Sequence, residues 1–383
     1  MNLKDVMNLI NNDSLTKDCE YLESIPETGF DLCKTTKYVA NELDKIGIEY
    51  SACGKNGIIA TIGDKSISKT ILLRADMDAL ATDGGAAHLC GHHMHTAMLL
   101  GAARVLKTIS PELKCRVKLM FQPAEEILSG AKDMIDDGAL DNPHPHEAFM
   151  LHVTSASDFD TGTFIFASQG DIAPSSDYFE IDVEGSASHG AQPDLGRDSI
   201  NSAAHIICAL QSINSRELSL AEQGVITIGA IHGGEAPNAI ASKLKMSGSF
   251  RMYSEETRKF VKTRMEEIAS SVASALRTKA TVTYTVGCPP FKNDQVVVSR
   301  AADAASHLFG KDKVVILPQG VRGGGSEDFA YVSQKIPTAM ALLCAGKKSD
   351  GYEHPLHHPG VRFDKKALPY GSALLAAMAL NSD

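Results

Sequence analysis

The stretch Ala87-His88-Leu89-Cys90-Gly91-His92-His93-Met94-His95 holds four of the chain's fourteen histidines and one of its eight cysteines. Imidazole nitrogens and thiolate sulfurs bind zinc and similar divalent cations, so these nine residues are a candidate metal site. The plainer alternative is a polar loop whose histidines only cap the helix that follows. The metal reading therefore needs further donors from elsewhere in the chain. Candidates are Asp76 and Asp78, the adjacent pair Glu125-Glu126, His152, and His357 in Leu356-His357-His358-Pro359. Adjacent glutamates can divide the work of hydrolysis, one holding a cation while the other takes a proton from water.

Such residues matter only if the fold brings them together. Helical periodicity is read over 15–24, and over 31–46 up to Gly47. Strands are read at 57–62, 70–74, 116–121, 147–151 and 337–344, with a helix over 130–137. Ala97, Met98, Gly101, Ala102 and Val105 recur at helical spacing, which predicts a helix over 96–107 packing one face inward. Asp76, Cys90, Glu126, His152 and His357 each fall shortly after the end of a strand that reads as buried. In open α/β sheets, functional groups gather in the crevice beyond the carboxyl ends of the strands. Five metal-type donors at equivalent topological positions are hard to explain as separate surface residues.

Between 175 and 290 the texture changes. Strands at 177–184, 224–231, 243–252 and 280–286 and helices at 198–213 and 254–276 run in the order β-α-β-β-α-β, that of a ferredoxin-like unit. The expected fold is α/β, with a catalytic domain built on a mostly parallel sheet flanked by helices. That domain comprises residues 1–174 and 291–383, and the unit at 175–290 is inserted into it. At 383 residues the chain is long enough for two such cores.

Composition excludes several classes of function. A formal net charge of −10 with no local Lys/Arg cluster argues against a nucleic-acid partner. No apolar run reaches membrane-spanning length, and the opening residues lack the apolar core of a signal peptide, so no membrane partner is expected. Cysteines at 19, 33, 53, 90, 115, 208, 288 and 344 show no paired spacing and read as reduced. The cytoplasm is the expected compartment. Gly323-Gly324-Gly325 lacks the Lys-Ser/Thr that would follow in a phosphate-binding loop, and is read as a loop of close approach.

Seven segments in register resemble one family. They are Leu72-Leu73-Arg74-Ala75-Asp76-Met77-Asp78-Ala79-Leu80, Cys90-Gly91-His92, Gln122-Pro123-Ala124-Glu125-Glu126, Gly190-Ala191-Gln192-Pro193, Gly233-Gly234-Glu235-Ala236-Pro237-Asn238, Ser326-Glu327-Asp328-Phe329 and Leu356-His357-His358-Pro359. The chain resembles the aminoacylase/carboxypeptidase metallopeptidases, in particular the amidohydrolase subgroup of hippurate hydrolases, N-acyl-amino-acid deacylases and indoleacetyl-amino-acid hydrolases. The resemblance implies two divalent cations (Zn, Mn, Ni or Co) per subunit. Their implied ligands are Cys90, His92, Glu126, His152 and His357, with Cys90 bridging and Glu125 as general base. It further implies that His189 stabilises the oxyanion, that Asn238 and Arg251 hold the substrate, and that the inserted unit is a lid through which a homodimer forms. The expected substrates are N-acyl amino acids or short peptides, cleaved to a carboxylate and a free amine.

The chain also departs from that subgroup. His93 stands where Asp is usual, the stretch 81–87 is short, Ala81 replaces a proline and Asp194 a histidine. These changes bear on the substrate pocket and the metal preference. Asp76 and Asp78 are read as near the metals without a decision between ligand and supporting role, and Arg251 has the alternative of pairing with an acid such as Glu180. Two rival functions are a metal-free Cys-His hydrolase using Cys90 as nucleophile, and a weakened N-acyl-amino-acid binding protein on the same fold.

Overall fold

The structure, a computed structural model, describes residues 3–380. Residues 1, 2 and 381–383, the ends of the expected 1–174 and 291–383 segments, lie outside the described residues.

The chain forms two compact units. The larger comprises Met1–Ile172, Lys292–Arg322 and Asp328–Asp383. Its eight-stranded sheet runs in the order Tyr50–Cys53, Gly57–Ile62, Arg116–Gln122, Thr70–Asp76, Glu147–Thr154, Thr338–Cys344, Phe164–Phe166, Val314–Ile316. The four central strands, from Arg116–Gln122 to Thr338–Cys344, are mutually parallel, and antiparallel pairings lie to either side. Thr70–Asp76 is buried at every position, as a strand covered on both faces must be, which is why it reads as an apolar run rather than as an alternation.

Helix His92–Thr108 begins at its first histidine, four residues before the predicted start. It is also buried all round, not on one face: only Arg104, Lys107 and Thr108 escape full burial. Gly101 shows why. A Cβ there would lie 2.4 Å from Leu15 Cδ2 and 2.6 Å from Ser372 Oγ, so helices Asn12–Glu23 and Leu368–Leu380 close tightly on this one. Ser372 Oγ donates to Met98 O at 3.0 Å. Each fully buried Leu or Met in such a helix contributes about 1.5–3 kcal/mol, and this packing fixes the end that carries His92.

The smaller unit comprises Ala173–Phe291 and Gly323–Glu327. Its four strands lie in the order Gly224–Gly233, Lys243–Met252, Ser176–Glu184, Lys279–Cys288, all antiparallel, with helices Ser199–Ser212 and Glu255–Ala275. Residues 323–327 had been expected in the larger unit. They group here because Tyr253 Oη donates to Gly323 O at 2.6 Å and Arg251 Nη1 to Ser326 Oγ at 2.6 Å. Among the described residues, no helix is long and apolar enough to cross a membrane.

Candidate metal centre

Five segments of the larger unit deliver the candidate ligands. Strand Thr70–Asp76 ends at Asp76, and Met77 N donates to Gln122 O at 2.8 Å, so Asp78 is held beside the end of the neighbouring strand. After Gln122 the backbone turns through Ala124 at φ 56°, a left-handed conformation, and presents Glu125 and Glu126. His152 sits within strand Glu147–Thr154. His357 is itself left-handed, at φ 67°, and its N–H donates to Leu89 O at 2.9 Å. Strained non-glycine residues of this kind cost about 1–3 kcal/mol each and cluster at functional sites.

Gly91 makes the turn between Cys90 and His92. It has φ +89°, and a Cβ there would lie 2.3 Å from Val153 Cγ2. Only glycine fits both the conformation and the space.

Cys90 is the centre of the cluster. Its Sγ lies 3.5 Å from His152 Nε2 and 3.3 Å from His357 Nε2. Glu126 Oε1 lies 3.7 Å from His357 Nε2 and 3.8 Å from His92 Nε2, which is 3.9 Å from Glu125 Oε2. Three overlapping groups each keep their donor atoms within 4.8 Å: Cys90, His92 and His152; Cys90, Glu126 and His357; His92, Glu125 and Glu126. All five residues expected as ligands, and the expected base, are therefore brought together.

The donor set fits a cation. Among the described residues, Glu126 Oε1 and His92 Nε2 are buried without a hydrogen-bond partner, which native structures rarely tolerate. His152 Nδ1 can only donate to Val153 O, at 2.8 Å, so its Nε2 faces Cys90 with its lone pair. Thiolate, imidazole and carboxylate together suit zinc and its first-row neighbours.

Burial dominates the protonation of the site. It pushes the Cys90 thiol up, away from the thiolate, and His152 down to about 3. Burial also raises the Glu126 carboxyl; the His92 charge opposes this, while Asp78 and Asp76 add to it. For His92 burial acts downward, but the negative charge of Asp76 outweighs it and holds the imidazole well above its ordinary value. Without a cation, the thiol and carboxyl are driven toward their protonated forms; a cation would reverse this.

Asp76 and Asp78 support the cluster through hydrogen bonds of their own. Asp76 Oδ1 is 2.5 Å from His95 Nδ1 and its Oδ2 accepts from Arg74 Nη1 at 2.7 Å. Asp78 Oδ1 accepts from Glu125 N and Oδ2 from Glu126 N, each at 3.1 Å, with His92 Nδ1 3.4 Å from Oδ1. His95 has both nitrogens engaged, because Nε2 accepts from Val153 N at 2.8 Å. His93 is buried away from the cluster, its ring 4.9 Å from that of His88 and 5.7 Å from Phe363. Arg74 and Asp328 stand within the quoted segments but carry no predicted role. Arg74 is fully buried and donates to Gln122 Oε1 at 2.9 Å and to Asp328 Oδ1 at 3.3 Å. A lone arginine inside an otherwise apolar strand was the available signal.

The smaller unit carries the other three predicted residues. His189, exposed, pairs across a two-stranded ladder with Ala239, and Gly190 N donates to Asn238 O at 2.7 Å, so His189 and Asn238 are neighbours. His189 Nδ1 accepts from Ala191 N at 3.1 Å, which leaves the ring proton on Nε2 as a donor. Arg251 is half-buried and bonded to Ser326; Glu180 instead accepts from Lys245 at 3.0 Å.

Residues 72–381 match the model of peptidase family M20/M25/M40. The chain is 32% identical to an N-acetyl-L-cysteine deacetylase of Bacillus subtilis, covering 98% of this chain and 90% of that one. It is 32% identical to an IAA-amino acid hydrolase of Arabidopsis thaliana, with 92% and 82% covered. A crystal structure of a Bacillus subtilis protein, described as a dinuclear metal binding peptidase of the M20 family, superposes with a TM-score of 0.78 at 28% identity. That match covers 96% of this chain and 97% of the other.

Proposed function

The chain belongs to peptidase family M20/M25/M40, and from that premise we propose that it hydrolyses N-acyl amino acids or short peptides with two divalent cations per subunit. The observation that carries the reading is Cys90 Sγ set between two imidazole Nε2 atoms, at 3.3 and 3.5 Å, beside the unpartnered buried Glu126 Oε1. The relatives named above act on N-acetyl-L-cysteine and on IAA-amino acid conjugates, which share an amide between an acyl group and an amino acid.

Cys90, His92, Glu126, His152 and His357 are the residues that would hold the cations. Zinc, manganese, nickel and cobalt all suit this donor set. Cations there supply Lewis acidity toward the amide carbonyl and toward water. Glu125, its backbone fixed by Asp78, takes the proton of the water that adds to the carbonyl carbon, and passes it to the amine nitrogen as the C–N bond breaks. The products are a carboxylate and a free amine. His189 serves as an Nε2–H donor to the oxyanion, and Asn238 and Arg251 hold the amino-acid end of the substrate. The smaller unit acts as lid and homodimer contact. All eight cysteines are free, which favours a reducing compartment such as the cytoplasm.

The metal-free Cys-His alternative needs an ionised nucleophile, whereas burial holds the Cys90 thiol protonated. The test is a screen of acetyl, benzoyl and indoleacetyl amino acids with added divalent cations, reading amine release. Turnover abolished by chelation and restored by metal is the expected result. Turnover that survives chelation and is lost on thiol alkylation would overturn the reading.

A further inference from the structure

We infer that Phe363 is a positioning residue for the candidate metal centre, a wedge that sets three ligand-bearing segments against one another; this rests on the metal-dependent reading above. The first segment is the Cys90–His92 turn. A Cβ built on Gly91 would lie 3.2 Å from both Cε1 and Cζ of Phe363, so the ring edge lies against the turn that splays the two ligands. The ring also stands edge-on to that of His93, centroids 5.7 Å apart and planes at 67°, and His93 in turn lies against His88.

The second segment is the strand that carries His152. It continues into Ser155, whose Oγ donates to Arg362 O at 2.7 Å, immediately before Phe363. On the other side Asp364 N donates to Ala345 O at 2.8 Å, and Ala345 N donates to Thr154 O at 2.8 Å. The backbone around the ring is thus pinned to the sheet on both sides. The third segment is the His357 loop, which leads into Phe363 and is tied back by Val361 N donating to His358 O at 2.9 Å and His357 N donating to Leu89 O. Cys90, and with it His152 and His357, whose Nε2 atoms lie 3.5 and 3.3 Å from its Sγ, are the ones so braced.

The brace acts by packing. His93 contributes ring volume, and its Nδ1 has no hydrogen-bond partner among the described residues. Apolar substitution of His93 should therefore be tolerated, while loss of ring volume at Phe363 should let the turn and the His357 loop relax. Ligand geometry held only from behind is sensitive to this, since loss of outer supports typically costs about 10–100-fold in metal affinity.

Cobalt(II) is the probe, read as ions per chain, as the visible thiolate and ligand-field bands, and as the rate of release to a chelator. Phe363→Ala is expected to release cobalt at least about tenfold faster than the parent, with a changed spectrum. Phe363→Leu should show a smaller change in the same direction, and His93→Leu should match the parent. Phe309→Ala is the control for general destabilisation, since Phe309 packs on Phe164 and Tyr370; it should lower Tm without altering spectrum or release. Parent-like spectrum and release in Phe363→Leu and Phe363→Ala overturn the wedge. So does equal acceleration in Phe309→Ala. If the parent takes up no cobalt, the metal reading itself falls, an outcome distinct from either.

Discussion

Asp78 holds Glu125 by its backbone: Oδ1 accepts the Glu125 N–H at 3.1 Å, while Oδ2 takes the next amide, that of Glu126. One carboxylate thus sets the position of both the proposed base and a proposed ligand. It does so from the turn after a different strand, so the two glutamates depend on the register between strands Thr70–Asp76 and Arg116–Gln122. Asp78→Ala should lower kcat by about 10–100-fold, with a fold otherwise intact by circular dichroism. Steady-state kinetics with metal analysis measures it, and unchanged kcat would remove Asp78 from the positioning role.

Asp76 has a different task. It neutralises Arg74, a fully buried guanidinium, and fixes His95. Asp76→Asn takes from that cation the carboxylate bonded to it at 2.7 Å. Breaking a buried pair costs about 3–5 kcal/mol. Urea denaturation of the cation-free protein should show a loss of that order, and a loss below about 1 kcal/mol would contradict the assigned role.

Gly91→Ala tests the turn itself. The substitution forces a Cβ to within 2.3 Å of Val153 Cγ2 at φ +89°. Strain of this kind is expected to cost about 1–3 kcal/mol, seen as a lowered Tm, together with weakened metal uptake.

His88 gives a pH signature. Burial, reinforced by the His92 charge, pushes its imidazole down to about 3 from an ordinary 6.5. Below 6.5 the unfolded chain takes up a proton that the folded chain refuses until about pH 3, so this residue removes stability as pH falls through that window. The stability of His88→Leu relative to the parent should therefore rise as pH is lowered from 6.5 toward 3. Denaturation curves of both proteins across that range measure it, and a difference independent of pH would show that His88 is solvated.

The sequence carried the framework well. Strands 70–76, 116–122 and 147–154 are short buried runs between turns, and their carboxyl-terminal ends lead into the site. Helices Gln295–Phe309 and Leu368–Leu380 were not anticipated. The second is buried on nearly every side, so it has no amphipathic period to read. The ligands were legible because metal-type donors are rare at strand ends. The supports were not: that His95 is spent on Asp76 and Val153, and that His93 faces Phe363, depends on helix His92–Thr108 starting at His92 and on where each ring turns. His93, read only as a departure that bears on the pocket and the metal preference, packs against His88 and Phe363.

In the proposed reaction Glu125 moves the proton while its neighbours hold the metal. Glu125→Gln, with metal content and turnover of N-acyl amino acids measured on the same preparation, tests it most directly. The expected result is metal per chain equal to the parent with turnover reduced on the order of 10²–10⁴-fold, the usual contribution of general acid–base catalysis. Retained hydrolysis at full metal content would contradict it.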